Sequence, residues 1–543
     1  MQSQSVVVSG DVAFAYGAVA AGVQLATGYP GSPSSGTVDA LLRLPEAHHI
    51  QVTWAINECV ALEMAFGAAL AGSRALLCVK SVGMNVALDP LMSAVLTGSN
   101  AGLVILLGDD PGGWASQNEQ DTRIVSVLAD IPLVEPADLQ EAQDTLIAAF
   151  DLSEEYHVPV IVRETRALAL AKGPVQRRSG EGPKPRSFVR EWMRWISLPE
   201  NVVENHRRLH DKLDRIQQVF EKSPLNRVEG VGHLGIVACG ATYPKLQQAL
   251  GTEVLSKFRV LKLGTFHPLP EGTVGHFLSE VDSVLVFEEN EAYIEQKLSA
   301  LAHKTGLQTA ILGRGSGYLP QGGELDATQI LSAVRKLAPA AVEHLAQPEA
   351  QARDMPSQQR LCDDCPYVPL FEVLLECIED LGGRDRAIIV GEPGCMVRAY
   401  LPPFELFDVK YSLGASVGLG VGVALAKPSQ RVIALTGDSS FLHHGWGGLV
   451  EGVRSKVDLL VIVLDNGTTA LSGRQPHAGT AHDARHREVP SVDMAEMTYL
   501  LGIDQPRVID PFDRTATHRA IKTALAHHGL EVIIARSPCP RMT

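Results

Sequence analysis

The 543-residue sequence has no excess of positive charge, and this limits its partners. Its 47 lysines and arginines are outnumbered by 62 aspartates and glutamates, which gives a formal net charge of −15. Because nucleic-acid binding needs a basic surface against the phosphates, nucleic acid is excluded as a main partner. Small anionic substrates stay compatible with this charge, since one local pocket can oppose the overall sign.

The sequence also lacks the segments that direct a chain into or across a membrane. The first residues, MQSQSVVVSGDVAFAYG, contain no basic stretch followed by an apolar core, and no later segment has 18 uninterrupted apolar residues. We therefore expect a cytoplasmic protein with no membrane partner.

Cysteine is scarce, with eight residues, and in a cytoplasmic chain these do not indicate a disulfide framework. Four stand singly inside apolar runs, which is typical of small buried hydrophobic residues: Cys59, Cys78, Cys239 and Cys377. The other four lie in the last third of the chain: Cys362, Cys365, Cys395 and Cys539.

The chain is too long for one hydrophobic core, and its patterns divide it into several blocks. Short apolar runs alternate with helical patterns, which predicts an α/β protein with doubly wound parallel sheets. A Pro/Gly/basic stretch followed by an amphipathic segment predicts a partly helical linker. The predicted division is 1–175, a linker at 176–230, a central domain at 231–345 and a last domain at 361–543.

Polar side chains follow two strongly apolar runs in the last block. Asp438 comes directly after the predicted strand RVIALTG, and Asn466 comes 28 residues later, after LLVIVLD. In a parallel sheet both would lie at the carboxyl ends of strands, where ligand crevices open. A carboxylate, an amide oxygen and a backbone carbonyl at Thr468 are hard ligands suited to Mg²⁺ with a diphosphate. The alternative is ordinary local structure, with Asp438 capping a helix and Asn466 forming a turn.

Eight short segments, from the first and the last blocks, resemble a known family. The segments are GYPGSPSSG, NECVALEMAFGAALAG, SVGMNVALDPLM, DDPGGWASQNEQDTR, LCDDCPY, SLGASVG, GDSS and DNGTTALSGRQPHAG. In this order they resemble the α subunit of indolepyruvate:ferredoxin oxidoreductases over nearly the whole chain. The resemblance implies two thiamine-diphosphate-binding domains, for the pyrimidine (1–175) and the diphosphate (361–543), around a central transketolase-C-terminal-like domain.

The resemblance implies a role for Glu58 as the carboxylate that exchanges a proton with the aminopyrimidine of thiamine diphosphate. Glu58 begins a helical pattern with Val60, Ala61 and Met64, and apolar surroundings favour a carboxyl group that shares a proton. The alternative is a first-turn glutamate stabilised by the helix dipole.

Further residues of the last block are implied to contact the diphosphate. They are Gly414, Ala415, Ser416, Gly437 and Ser439, together with the Mg²⁺ ligands Asp438, Asn466 and Thr468. The spacing of SLGASVGLGVGVALA also fits a dinucleotide fingerprint, but no clear strand precedes it and no acidic partner follows about 20 residues later.

The four late cysteines match the usual ligand number of a 4Fe-4S cluster, and a Cys-x-x-Cys pair such as Cys362 and Cys365 is typical of one. Zinc and free thiols are the alternatives. The family's α subunits usually end in a ferredoxin-like domain with two further cluster motifs, whereas this sequence ends at SPCPRMT. We therefore expect electrons to leave by another route.

The resemblance also implies substrate contacts near the N-terminal segments. Ser32 and the loop SQNEQDTR are expected to face the 2-oxo acid, with Gln117, Asn118 and Arg123 as candidates for its carboxylate. A solvated polar loop is the alternative. Trp114 beside this loop fits an aromatic side chain of the substrate.

The resemblance implies oxidative decarboxylation of an arylpyruvate with coenzyme A to an arylacetyl-CoA, with electrons passed through the cluster to ferredoxin or another acceptor. It also implies a smaller β subunit and assembly as a homodimer or heterotetramer. The alternatives are a non-oxidative thiamine diphosphate decarboxylase or carboligase, and an inactive relative, which the presence of Glu58, Asp438 and Asn466 disfavours.

Overall fold

The computed structural model describes residues 5–180, 182, 186–196, 198–348 and 360–542. The chain divides into two compact units: the first comprises Met1–Val52 and Glu58–Asp354, and the second comprises Thr53–Asn57 and Met355–Thr543. Both have helices packed on largely parallel sheets, which confirms the predicted α/β fold class. The division at the four predicted domain boundaries stays a prediction.

The strands up to residue 312 form three sheets. They are β1 (Ser5–Ser9), β2 (Leu25–Gly28), β3 (Gln51–Trp54), β4 (Ala75–Lys80), β5 (Leu103–Asp109), β6 (Leu133–Val134), β7 (Val160–Thr165), β8 (Lys172–Gln176), β9 (Arg227–Glu229), β10 (Leu234–Cys239), β11 (Arg259–Leu263), β12 (Thr265–His267), β13 (Ser283–Phe287) and β14 (Ala310–Leu312).

The largest of these sheets has the order β12-β6-β7-β5-β4-β2-β3. Strands β4, β5 and β7 each begin with an apolar run, are almost entirely buried and pair in parallel, as expected for strands covered on both faces. A second sheet has the order β14-β13-β10-β11-β9, and β1 pairs with β8. The edge strands β9 and β12 are antiparallel to their neighbours, a detail that the sequence pattern did not predict.

Fourteen helices among the described residues of the first unit connect or cover these strands. They are α1 (Gly10–Ala20), α2 (Ser35–Arg43), α3 (Glu58–Leu70), α4 (Ser81–Val86), α5 (Leu88–Thr97), α6 (Arg123–Leu128), α7 (Leu139–Tyr156), α8 (Arg166–Leu170), α9 (Trp192–Trp195), α10 (Pro199–Phe220), α11 (Thr242–Leu255), α12 (Glu271–Ser279), α13 (Tyr293–Thr305) and α14 (Ala327–Leu337). Helix α10 lies in the predicted linker and buries one face, including Leu209, Leu213 and Ile216.

The second unit has one six-stranded parallel sheet in the order β16-β15-β17-β18-β20-β19. Its strands are β15 (Ala387–Gly391), β16 (Val409–Lys410), β17 (Arg431–Gly437), β18 (Leu459–Asp465), β19 (Arg507–Ile509) and β20 (Leu530–Arg536). Its helices are α15 (Tyr367–Asp380), α16 (Ala415–Ala426), α17 (Asp438–Ser440), α18 (Trp446–Ser455), α19 (Met494–Leu500) and α20 (Arg514–Ala526).

Strands β17 and β18 lie side by side, with Gly437 opposite Leu464. The residues that follow them therefore leave the sheet at the same edge. Among the described residues, the longest helices are too short or too polar to cross a membrane.

Candidate active site

Asp438 lies at the carboxyl edge of the second unit's sheet and is buried. Its carboxylate accepts hydrogen bonds from the backbone N–H groups of Ser439 (2.7 Å), Asn466 (3.1 Å) and Gly467 (2.8 Å). Hydrogen bonds to a charged acceptor are stronger than neutral ones, so this network fixes the carboxylate. The two segments that the sequence placed at one sheet edge therefore meet there.

Asn466 links this carboxylate to helix α15. Its Nδ2 donates to the hydroxyl of Tyr367 (2.6 Å), and its Oδ1 accepts from the N–H of Thr468 (3.1 Å). The Thr468 hydroxyl donates to the carbonyl of Gln475 (3.2 Å), which leaves the backbone carbonyl of Thr468 as its predicted metal ligand. A carboxylate, an amide oxygen and a carbonyl are the donor types that Mg²⁺ prefers, so these residues fit a magnesium diphosphate.

His477 is a neighbour of this group that sequence reasoning missed. Its Nε2 lies 3.2 Å from Asp438 Oδ2, and its Nδ1 accepts from the N–H of Gly479 (3.1 Å). Since Nδ1 is an acceptor, the proton of the neutral ring is on Nε2, which lies near the carboxylate but not in hydrogen-bond geometry. The only available sequence signal was a loop after Asn466 that contains three histidines: His477, His482 and His486.

Glu392 is a buried carboxylate that hydrogen-bonds to the residues just before Asp438 and to Ser416, and sequence reasoning missed it as well. It accepts hydrogen bonds from the hydroxyls of Thr436 (2.7 Å) and Ser416 (3.0 Å) and from the N–H groups of Gly437 (3.2 Å) and Ser416 (3.3 Å). Burial raises the pKa of Glu392, although these hydrogen bonds act to lower it. Because both polar groups of Ser416 contact Glu392, its geometry differs from the predicted diphosphate contact.

The segment Gly414–Ser416 forms the start of helix α16, and its glycine packs closely against the residues around His444. Gly414 has φ of 72°, and a Cβ there would lie 2.7 Å from Cβ of His444. Only glycine fits without movement at this point. Ala415 and Ser416 then form the first turn of the helix.

The four late cysteines line one pocket of about 90 Å³ in the second unit. Cys365 is buried, the other three are half-buried, and none of the four forms a disulfide. Burial raises the pKa of Cys365 to about 12, and the charges of the other three cysteines act in the same direction. The pocket is also lined by Tyr367, Asn466, Arg398, Arg474 and Arg541.

The spacing of these sulphurs bears on what the pocket holds. Sulphur ligands about 2.3 Å from a tetrahedral zinc ion lie ~3.8 Å apart. Of these four described cysteines, no three have sulphurs within 4.8 Å of one another. This spacing differs from that of a closed zinc site, and the three arginines of the pocket match the negative charge of a thiolate-bound centre.

In the first unit, Glu58 is the first residue of helix α3 and is 5% exposed. Its carboxyl group lies against Gly83 of helix α4, where a Cβ would be 2.5 Å from Glu58 Oε1. The glycine therefore makes room for the carboxyl group.

Lys80 is a cation beside Glu58 that sequence reasoning missed. Its Nζ donates to the carbonyl of Ala115 (3.0 Å), and its side chain lies under Gly31, whose Cβ would be 2.7 Å from Lys80 Cδ. Burial lowers the pKa of Lys80, while the charges of Asp110 and Glu58 raise it. Lys80 thus joins the loop of Ser32 to the loop that was predicted to contact substrate.

The residues that were predicted to contact substrate differ in their exposure to solvent. Ser32 is half-buried beside Gly31, whereas Gln117 and Asn118 are exposed. Trp114 donates from its indole N–H to Glu324 (2.9 Å).

Arg123 is fully buried, and its guanidinium is occupied. It pairs with Asp121 (2.6 Å) and Glu288 (2.7 Å) and donates to two backbone carbonyls, at Glu289 and Glu291. This geometry does not support the predicted contact with a substrate carboxylate, because the buried guanidinium is already paired with two carboxylates. The residue links helix α6 to the segment after β13.

Comparisons with known proteins identify the families that the chain resembles. The thiamine-diphosphate-binding model of pyruvate flavodoxin/ferredoxin oxidoreductases matches residues 16–172, and the C-terminal thiamine-pyrophosphate-binding model matches residues 393–535. The indolepyruvate oxidoreductase subunit IorA of Methanothermobacter marburgensis is 34% identical, over 98% of this chain and 86% of that protein. Its counterpart in Archaeoglobus fulgidus is 34% identical, over 99% and 87%.

A solved structure shows the same fold. The 2-oxoglutarate:ferredoxin oxidoreductase of Magnetococcus marinus superposes with a TM-score of 0.51 at 15% identity, over 62% of this chain and 65% of that one. At this identity the likeness concerns the fold alone.

Proposed function

We propose that this chain oxidatively decarboxylates an arylpyruvate with coenzyme A, because it belongs to the family of indolepyruvate oxidoreductase α subunits. In this reaction the carboxylate of the 2-oxo acid leaves as CO₂ and the remaining acyl carbon bonds to the sulphur of coenzyme A. One proton and two electrons are released. Thiamine diphosphate supplies the electron sink for the decarboxylation.

Different residues of the chain would bind the coenzyme, transfer the proton and bind the substrate. Asp438, Asn466 and Thr468 would hold Mg²⁺ and the diphosphate, and Glu58 would exchange a proton with the aminopyrimidine. Lys80, rather than Arg123, would pair with the carboxylate of the 2-oxo acid, because an ammonium group has three donors and Ala115 uses one.

One observation favours the oxidative reaction over simple decarboxylation. Asn466, the predicted Mg²⁺ ligand, also lines the pocket of the four cysteines, and its Nδ2 binds Tyr367 of the same pocket. A 4Fe-4S cluster there would lie next to the diphosphate loop and would receive the two electrons one at a time. A non-oxidative enzyme has no use for such a neighbour.

The partners follow from the same family membership. We propose a smaller β subunit, an external acceptor such as ferredoxin, and a homodimer or heterotetramer as the assembly. The purified chain alone should then stall after one turnover or turn over slowly, and addition of the β subunit recovered from native extract should restore thioester formation.

The test is anaerobic purification followed by iron and sulphide assays, an absorption spectrum, and viologen reduction with indolepyruvate and coenzyme A. Cys362→Ser with Cys365→Ser should lose iron and viologen reduction. The control is Cys377→Ser, since Cys377 lies outside the pocket and its Sγ only contacts the carbonyl of His518 (3.8 Å).

Three results would contradict the proposal. An iron-free wild-type chain that releases free aldehyde would favour a non-oxidative decarboxylase. Full coenzyme-A-dependent turnover by the isolated chain would remove the need for a β subunit. Loss of iron from Cys377→Ser as well would mean that the four cysteines do not form the site.

A further inference from the structure

Two histidines of helix α10 and one aspartate of the first unit converge. His206 and His210 are one turn apart, so they lie on the same face of the helix. The Nε2 atoms of the two rings are 3.2 Å apart, and they lie 3.3 Å and 3.5 Å from Oδ2 of Asp130.

The distances between these three atoms, which form a triangle, match the distances between three of the four ligands of a tetrahedral metal ion. Nitrogen and oxygen ligands about 2.0–2.1 Å from a tetrahedral zinc ion lie ~3.3–3.4 Å apart. The measured edges of 3.2, 3.3 and 3.5 Å bracket this value. In the described part of the chain, no other group of three histidine, cysteine or acidic ligands is this close together.

Hydrogen bonds alone explain the triangle poorly. Only one proton fits between the two nitrogens, and if both rings were protonated their charges would repel at 3.2 Å. A cation at the centre would satisfy all three atoms at once, because neutral imidazole and carboxylate are both metal ligands.

A third histidine lies beside the triangle. Both ring nitrogens of His267, at the end of β12, are buried without a hydrogen-bond partner. Burial lowers the pKa of His267 to about 4, and the charges of Lys297, Asp130 and His210 also act on it. His267 is half-buried overall, and its nitrogens are not among the ligand atoms that lie within 4.8 Å of one another, so it is a neighbour of the triangle and not one of its ligands.

We propose that Asp130, His206 and His210 bind a divalent transition metal ion of the zinc class. The fourth position is open to water, since both histidines are exposed. Imidazole ligands disfavour Mg²⁺, so this site is chemically distinct from the predicted coenzyme metal. The ion cross-links the linker helix α10 to the segment that follows helix α6, and its role is structural.

The test uses the full chain, stripped with a chelator and dialysed against limiting Zn²⁺ in excess Mg²⁺. We expect the zinc content per chain of His206→Asn/His210→Asn to fall by about one ion relative to wild type. The control is His303→Asn, an exposed histidine on helix α13, which should keep the wild-type content. Because the cysteine pocket also binds soft metals, the difference between variants is the quantity that counts.

Two further measurements separate this site from the thiols. Co²⁺ bound by histidine and aspartate gives ligand-field bands without the sulphur charge-transfer band, and these bands should disappear in the double variant. Zn²⁺ should raise the melting temperature of wild type by a few degrees and that of the double variant less. Asp130→Asn serves as a second variant if the double variant does not fold.

Equal zinc content in the double variant, Asp130→Asn and wild type would overturn the proposal. So would an unchanged zinc-induced shift of the melting temperature in the folded variants. The result does not depend on the proposed reaction, because no measurement uses substrate or coenzyme.

Discussion

Asp438 in the second unit accepts three backbone hydrogen bonds, whereas Glu58 in the first unit lies at the start of a helix against Gly83. The first carboxylate is held by loops that leave neighbouring strands of one sheet. The second lies against a glycine of the adjacent helix, at a position where any side chain would meet it. One arrangement follows from sheet topology, and the other includes a close contact between two helices.

The difference predicts different consequences of substitution. A residue fixed by backbone donors at a diphosphate loop should control binding of the coenzyme. A carboxylate that exchanges a proton with the coenzyme should control that transfer and leave coenzyme binding almost unchanged. The predictions below test this contrast, beginning with the largest expected effect.

Asp438→Ala should abolish retention of thiamine diphosphate and Mg²⁺. The change removes a charged metal ligand and leaves three backbone N–H groups without their acceptor, at a cost of ~1–3 kcal/mol for a buried donor. Calorimetry should show coenzyme affinity reduced by at least ~100-fold, which is ~2.7 kcal/mol, in a chain that still folds.

Asp493→Ala is the matched control for this prediction. Asp493 also accepts backbone hydrogen bonds in the second unit, from Ala495 (2.7 Å) and Glu496 (3.1 Å), but it caps helix α19 and its other contact is a 3.9 Å ion pair with Arg536. It should lose ~1 kcal/mol of folding stability and keep coenzyme affinity. Unchanged affinity in a folded Asp438→Ala variant would remove Asp438 from the metal site.

Glu58→Gln should bind coenzyme almost normally and lose at least ~100-fold in kcat, the size expected for loss of a proton-transfer partner. Exchange of the coenzyme C2 proton with deuterium, followed by NMR, should slow in parallel. Glu63→Gln on the same helix is the control, because Glu63 is exposed. Normal exchange in Glu58→Gln would mean that this glutamate serves only the helix end.

Lys80→Met should lower kcat/KM for the 2-oxo acid by roughly 10- to 100-fold, mainly through KM, since a hydrogen bond to a charged group contributes ~1.5–3 kcal/mol. Coenzyme affinity should stay unchanged. The control is Lys257→Met, which removes an exposed lysine. Steady-state kinetics with several 2-oxo acids give the measurement.

Arg123→Met sharpens the same contrast from the opposite side. It leaves Asp121 and Glu288 buried without their cation, which costs ~3–5 kcal/mol of folding stability. We expect a chain that unfolds early in denaturant rather than a raised KM. If Arg123→Met folds normally and raises KM while Lys80→Met does not, the substrate role returns to Arg123.

The contrast also explains what could be predicted from the sequence. The meeting of Asp438 and Asn466 followed from two apolar strands, because parallel neighbours end at one edge. Arg123 could not be placed, since its partner Glu288 is 165 residues away along the chain. Lys80 and Glu392 carry no local pattern, and although His206 and His210 are spaced one helical turn apart, only the fold brings Asp130 to them.

Gly83→Ala is expected to have the smallest effect and tests the contact on which the comparison depends. The added methyl group would lie 2.5 Å from Glu58 Oε1 and 2.9 Å from its Cδ, so the carboxyl group must move. A side chain can rotate where backbone cannot, so we expect a loss of only about tenfold in kcat, with coenzyme affinity unchanged.

Gly67→Ala on helix α3 is the control, because a Cβ there meets no atom within 4 Å. It should leave kcat unchanged and stabilise the helix by up to ~1 kcal/mol. The two substitutions add the same methyl group, one facing the carboxyl group of Glu58 and the other facing open space. Equal kcat values for both variants would show that the position of Glu58 is not set by Gly83, and the first unit would then need a different explanation for how its carboxylate is held.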